Sequence, residues 1–579
     1  MKKTVMIVAT GLLAAAGLKA QTIQEGVNHL YADRFKSAIN VFEKLLAANP
    51  NNIEATYWLG QTYLDEDRND QARQLYDKAL TTSANAPLLL VGRGHVDLLD
   101  KKTAEAKQKF ETALTMSKGK KGDDPAILNA VGRANVDAKL GDLPYAIQKL
   151  EMAVQREPNN PDIYVNLGNA YRKAKPGEGG GQAYTSYKKA LELNPNFPLA
   201  YLRLAKLFEA QKNWELNLDN LNKAIAVDPK FSPAYYELFY YNFFRKKFDE
   251  AETYLKKYID SRLPETYIDD QRMYAELCWG RKDFNCAISK AEGIVTSEGQ
   301  YVKPKVLKLL ADSYNEKGDS INAKKYIDWY FTKEKPEDML NADHAFDHAL
   351  KAEIYFKFPG QENVAFASVL DGVRIDTTVE GKVKILTDAA EKLKAKGLRD
   401  KEAELLAKII EVKPKPTIND YFYTTRSYYF AKMYDKSRAF ALKMIENYPT
   451  EVFGYEWAFN NSSVVDTVKK DSIAVPDALK LYEFSQKDTT KFKKQYIVSV
   501  RYLAGYYIND AKDKEKAIEF FQKWKEADVA NAPTIQGYID QIQKSKSASP
   551  KGGSAPKSGK PTPESTPKKT ATTKVAVKK

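Results

Sequence analysis

His344 and His348 stand four residues apart with Asp343 and Asp347 beside them. On a helix that spacing brings two imidazoles and a carboxylate onto one face, which is how a divalent metal is held. The Glu of the metalloprotease His-Glu-x-x-His arrangement is absent, however, Phe346 shares the turn, and no third ligand stands out, so a solvated helix face is the plainer reading. Ser186 and Lys189 have the spacing of a Ser-x-x-Lys pair, but Tyr187 and Ala190 on the same helix hold packing positions, and no nucleophile elbow occurs. The glycine-rich stretch 175–181 lacks the Gly-Lys-Ser/Thr of a phosphate cradle and reads as a flexible hairpin turn. Cys278 and Cys286 flank the turn 279–285, and in an oxidising compartment such a pair can close; a disulfide and two buried free thiols both stay open here. No constellation supports catalysis, so the expectation is a non-enzyme without cofactor or metal.

Composition agrees. Only 4 His and 2 Cys occur in 579 residues, too few for zinc ribbons, iron–sulfur clusters or disulfide scaffolds, while 43% hydrophobic and 29% charged residues describe a folded chain with a large core. Residues 1–20 read as a signal peptide: Lys2 and Lys3, an apolar stretch over 5–17, then Leu18-Lys19-Ala20 before Gln21. The protein is therefore expected to be exported, to the periplasm or the outer membrane, and no segment is apolar for long enough to span a bilayer. Residues 544–579 carry ten Lys and one Glu among Ser, Thr, Pro, Gly and Ala, which reads as a disordered basic tail. Removing that +9 and the +3 of Lys2, Lys3 and Lys19 from the chain's +14 leaves about +2 for residues 21–543. The tail has no aromatic residue on which a base could stack, so sequence-specific nucleic-acid binding is not expected; charge alone would draw it to anionic envelope polymers.

The elements come from a repeat. Gly26, Gly60 and Gly94 recur every 34 residues, as do Ala38, Ala72 and Ala106, and Phe42, Tyr76 and Phe110. Each copy is two amphipathic helices: small residues let the pair approach closely, and an aromatic ring one turn away fills the space beside them. Pro50, Pro158, Pro195 and Pro229 fall where second helices must stop. Tyr164, Leu167, Gly168 and Tyr171, then Ala183, Tyr187, Ala190 and Pro195, repeat the pattern most fully. Ala251, Ala287, Ala323, Ala403 and Ala517 mark later second helices.

This pattern resembles the tetratricopeptide repeat. The resemblance implies an all-α, right-handed superhelical α-solenoid of about fourteen helical hairpins, near consensus over 21–335 and degenerate over 336–543. The segment 364–385, rich in Val and Ile, reads as a degenerate hairpin ending at Asp376 rather than a strand. Stacked repeats are expected to touch their neighbours without long-range closure.

The resemblance also implies a concave surface where partner peptides lie, presenting Asn166, Asn169, Arg172, Arg203 and Lys206, then Tyr236, Tyr240 and Phe243, with Phe422, Tyr429 and Phe430 on the corresponding surface late in the chain. Asn166 and Arg203 match a carboxylate-gripping pattern, while Leu199 stands where a Lys would belong. A non-catalytic exported scaffold that binds other proteins is the leading reading, and a glycan-binding envelope protein is its alternative. The chain resembles envelope proteins of the Bacteroidota in its Asn, Lys and Tyr usage and in the absence of a lipobox.

Overall fold

The computed structural model describes residues 22–84, 86–120, 122–175, 177, 179–333, 342–466 and 472–547. The segment 1–20 and the tail beyond Ser547 lie outside these residues, as does the expected boundary at 335/336. The described chain is all-helical, and its only extended pairing is an isolated bridge between Gly119 and Gly122. No described helix is long and apolar enough to cross a membrane.

The second hairpin shows why the sequence folds this way. Asn52 caps the helix Ile53–Asp65, its side chain accepting from the Ala55 amide at 3.0 Å. The helix ends at Asp65, and Asp67, with a φ of 59°, turns the chain toward the helix Asn69–Thr82. A Cβ on Gly60 would lie 2.2 Å from Cζ of Tyr76, and one on Gly92 of the next hairpin 2.5 Å from the same atom. Two glycines thus make room for one ring. Tyr76 is wholly buried, and its hydroxyl is satisfied there, donating to the Tyr57 carbonyl at 2.8 Å and accepting from Gln61 at 2.9 Å. Gly26 with Phe42, Gly94 with Phe110, and Gly168 with Tyr187 repeat the arrangement. The left-handed turn recurs at Asp33, Lys101, Lys212, Lys246, Lys282, Lys432 and Lys512.

The chain divides into two compact units, 1–313 and 314–579. In the first, eight hairpins follow one another from Ile23–Tyr31 with Phe35–Ala48 to Ile268–Gly280 with Phe284–Glu298. This unit corrects one expectation, because its first hairpin touches hairpins far along the chain. Tyr31 donates to Asp162 at 2.6 Å, Ser232 donates to the Ala32 carbonyl at 2.5 Å, and the Phe35 amide donates to the Tyr267 hydroxyl at 3.0 Å. Ala32 is buried among Leu199, Leu202 and Leu238. The physical reason is that repeat spacing specifies only how one hairpin stacks on the next; the small rotation at each step accumulates until the coil returns over its own start.

In the second unit, Ala345–Tyr355 with Glu362–Ile375, Val379–Ala395 with Arg399–Val412, Ile418–Phe430 with Tyr434–Asn447, Val452–Asp466 with Ala474–Ser485, and Lys493–Asn509 with Lys514–Ala527 pair in order. Asp376 is the C-cap of the helix Glu362–Ile375, so the Val- and Ile-rich segment is a hairpin end. A last helix, Ala532–Ser547, seats Ile535, Ile539 and Ile542 in the cluster that holds Phe521 and Trp524. It runs four residues into the stretch expected to be tail.

Candidate functional site

The inward face of the first unit is built by the first helix of each hairpin, and most of its expected binding residues are already engaged. On the helix Pro161–Ala174, buried Asn166 donates to Asn129 at 2.9 Å and to Asp162 at 3.2 Å, the carboxylate that Tyr31 reaches from the first hairpin. Asn169 accepts from the Tyr187 hydroxyl at 2.9 Å, and Arg172 lies beside the same tyrosine. On the helix Pro198–Ala210, Lys206 pairs with Glu209 at 2.6 Å and Glu237 at 3.0 Å. Arg203 faces Asp33, Asp65 and Glu237, and its Nε has no hydrogen-bond partner among the described residues. Leu199 is buried in the core. Arg133, missed by sequence reasoning, lies over the Trp58 ring at 4.6 Å and the Tyr31 ring at 6.0 Å, tying three hairpins together.

The aromatic helix Ser232–Phe243 divides its rings between two roles. Tyr235 and Phe239 are core. Phe243 stacks on Phe239 with centroids 5.7 Å apart and fills the space beside Gly280, where an added Cβ would lie 2.8 Å from its ring. Tyr236 meets Tyr240 and Tyr258 edge-on or tilted, at 4.8 and 5.6 Å. Tyr240 donates to Glu276 at 2.8 Å and accepts from Arg272 at 3.2 Å; burial holds its hydroxyl proton firmly, and the Glu276 carboxylate adds to that. All three residues are bonded or packed into the unit.

The second unit presents a different surface. Phe422 on the helix Ile418–Phe430 touches Phe453 at 5.6 Å and Trp457 at 6.0 Å on the helix Val452–Asp466, and Tyr429 meets Trp457 at 5.2 Å and Tyr434 at 5.4 Å. Both helices are the first of their hairpins, so Phe422 and Tyr429 of the expected cluster are brought together through Trp457. Trp457 and Phe453 were not among the candidates; the signal for them was their spacing of about one repeat from Phe422. Tyr423, Phe430 and Phe453 at its border are 50%, 56% and 42% exposed, and Arg426 lies over the Phe430 ring at 5.6 Å. Desolvation pushes the Tyr429 hydroxyl upward, so it stays a proton donor. Such a surface can grip apolar and aromatic side chains, with phenolic hydroxyls at its edge.

The histidine cluster is not the solvated helix face expected: Asp347 and His348 are buried, because the helix end packs against Tyr330 and Phe331. Nδ1 of His344 lies 2.9 Å from the Asp347 carboxylate and 3.1 Å from the Tyr330 hydroxyl, which also bonds Asp347. His348 is buried with its ring edge-on to Phe331 at 5.1 Å. Among the described residues no group of three His, Cys, Asp or Glu could hold a metal; the Asp343 side chain lies outside them. Ser186 donates to the Gln182 carbonyl of its own helix at 2.9 Å. Cys278 on Ile268–Gly280 and Cys286 on Phe284–Glu298 are joined by a disulfide across the turn, their Cα atoms 5.7 Å apart.

A tetratricopeptide repeat family model matches residues 29–89, and a TPR repeat model matches residues 134–174. The small glutamine-rich tetratricopeptide repeat-containing protein 2 of Mycosarcoma maydis is 35% identical over 85 residues, 14% of this chain and 24% of that protein. The chain thus spans about a quarter of the length of the curated relative it matches. A tetratricopeptide repeat protein from Parabacteroides merdae is similar at 19% identity over 45% of this chain and 97% of its own, with a TM-score of 0.37. The C-terminal part of a TPR repeat-containing protein from Cytophaga hutchinsonii is similar at 23% identity over 46% and 98%, with a TM-score of 0.27. This chain is a tetratricopeptide repeat protein. Proteins of this kind generally mediate protein–protein interactions.

Proposed function

We propose that the protein is an exported, non-catalytic scaffold of the cell envelope that captures partner proteins on the aromatic surface of its second unit. The observation that carries this is the convergence of Phe422, Tyr429, Phe453 and Trp457 from consecutive hairpins, bordered by exposed Tyr423 and Phe430. Rings left at a surface beyond what the core needs are the usual anchors of a protein interface. The signal-like segment 1–20 and the disulfide Cys278–Cys286 support export, since such bonds persist in oxidising compartments. The basic stretch 544–579 acts as an electrostatic tether to anionic envelope polymers.

The test is capture from an envelope fraction by the full chain and by a Tyr423→Ser, Phe430→Ser, Phe453→Ser variant, in which only exposed rings change. The proposal expects the protein partners to be lost with Tm unchanged. Partners retained in full by the variant would overturn it, and retention of envelope glycan instead of protein would support the glycan-binding alternative. A chain lacking residues 548–579 should show weaker retention on envelope fragments at low salt only.

A further inference from the structure

Past the helix Ala532–Ser547 the sequence carries Pro556, Pro561, Pro563 and Pro567, interleaved with Lys557, Lys560, Lys568 and Lys569. Prolines favour an extended helix of about 3.1 Å per residue that loses little entropy on docking, and aromatic-lined surfaces are what such segments dock on. The aromatic surface of the second unit lies within their reach. The helices of that unit pack in chain order and successive ones reverse direction, so Ile418–Phe430 and Ala532–Ser547 run the same way. Tyr429 and Phe430 therefore lie toward the edge at which the last helix finishes. Three hairpin steps of about 10 Å separate the two helices, about 30 Å in all. The nine residues from Ser547 to Pro556 cover about 28 Å when extended, which brings Pro556 to the rings. From Phe430 back to Phe422 the helix rises only about 12 Å, so residues 556–569 are long enough to cross the row.

The charges agree with this placement. The two helices that carry the rings hold Glu456 and Asp466, with Asp420 already paired to Lys413, against Arg426. Oδ2 of Asp466 accepts from Tyr502 at 2.6 Å, while its buried Oδ1 has no hydrogen-bond partner among the described residues. Residues 556–569 bring four Lys and one Glu. A lysine over a ring is a contact that this region already makes, with Lys436 over Tyr428 at 5.6 Å and Lys443 over Phe440 at 5.0 Å. We propose that residues 556–569 fold back across Phe422, Tyr429, Phe430, Phe453 and Trp457 and occupy the capture surface until a partner displaces them. The capture clause rests on the scaffold reading; the docking itself does not. Because the segment belongs to the same chain, it meets the rings at an effective concentration in the millimolar range, and a partner must bind better than the tail to take its place.

A chain ending at Ser547 keeps every described residue, so a dye-labelled peptide of residues 548–579 can be titrated into it and into the full chain, with fluorescence anisotropy as the readout. The expected result at about 0.15 M salt is saturable binding to the shortened chain and binding at least ten-fold weaker to the full chain, whose own tail competes. Tyr423→Ser, Phe430→Ser and Phe453→Ser together in the shortened chain should weaken the peptide about ten-fold or more. A peptide with Pro556→Ala, Pro561→Ala, Pro563→Ala and Pro567→Ala keeps every charge and should also bind more weakly, which requires no change to the folded protein. No binding, equal binding to the shortened and full chains, binding that survives the ring variant, or equal binding of the proline-free peptide would each overturn the docking. No envelope partner enters this titration. If the tail binds as stated but partner capture ignores the ring variant, the surface is a site for the tail alone and only the scaffold reading of it fails.

Discussion

In the first unit most of the inward rings and charges are bonded to one another, whereas in the second a comparable set of rings stands at the surface. Asn166, Lys206, Tyr240 and Phe243 have partners within their own unit. Tyr423, Phe430 and Phe453 have neighbours on one side and solvent on the other. The contrast teaches that fidelity to the repeat and availability for binding are separate demands. Near-consensus hairpins stack so regularly that the coil meets itself and consumes its inner face. The degenerate hairpins, freed from the strict glycine-and-ring register, place aromatics where the packing does not need them.

The largest effect that would test this contrast is Tyr76→Ala. It empties a site shared by Gly60 and Gly92 and should cost about 3–5 kcal/mol in denaturant unfolding of the first unit. Next is acid. His95, buried and facing Gln61 at 3.1 Å, is pushed by desolvation from 6.5 down to about 4, so it folds neutral. Its stabilising contribution is present above pH 6.5 and lost as pH falls through about 4, a difference of about 3 kcal/mol. His95→Gln should flatten that loss in a urea series across pH 4–7, and an unchanged slope would remove His95 from the account. Glu265→Ala should lower the stability of the first unit by about 1–3 kcal/mol, since the Lys36 and Ser37 amides at the start of the helix Phe35–Ala48 lose their acceptor; no change in midpoint would mean the closing contact is not formed in solution. The smallest effect on stability is expected of Tyr423→Ala with Phe430→Ala, within about 0.5 kcal/mol, even though these rings should matter for capture. A large drop in Tm would move them into the core and erase the contrast.

Much of the hairpin architecture was legible before any coordinates. Gly60 and Tyr76 sixteen residues apart already specified which ring sits in which gap, because that contact lies within one repeat and a helix pair has few ways to bring a small residue and a ring together. The alanines from Ala38 to Ala517 all proved buried for the same reason. Less legible were the partners of the inward residues. Arg203 and Asn166 fit a binding pattern by position, yet whether they are free depends on Tyr31, Asp33 and Glu265, residues whose approach no local spacing announces. The last helix, Ala532–Ser547, escaped notice because it has no partner helix after it and its apolar face reads only against Phe521 and Trp524.

The sequence by itself determined the unit of construction: an all-helical chain of paired helices, with ring, glycine and alanine in fixed register, since those contacts are local and repeat every 34 residues. Only the tertiary structure decided which surfaces are left over. Closure of the first unit arises from a small rotation added at every step, and the rings of the second are exposed because neighbouring helices fail to cover them. Both are sums over many contacts, and no single repeat contains that information.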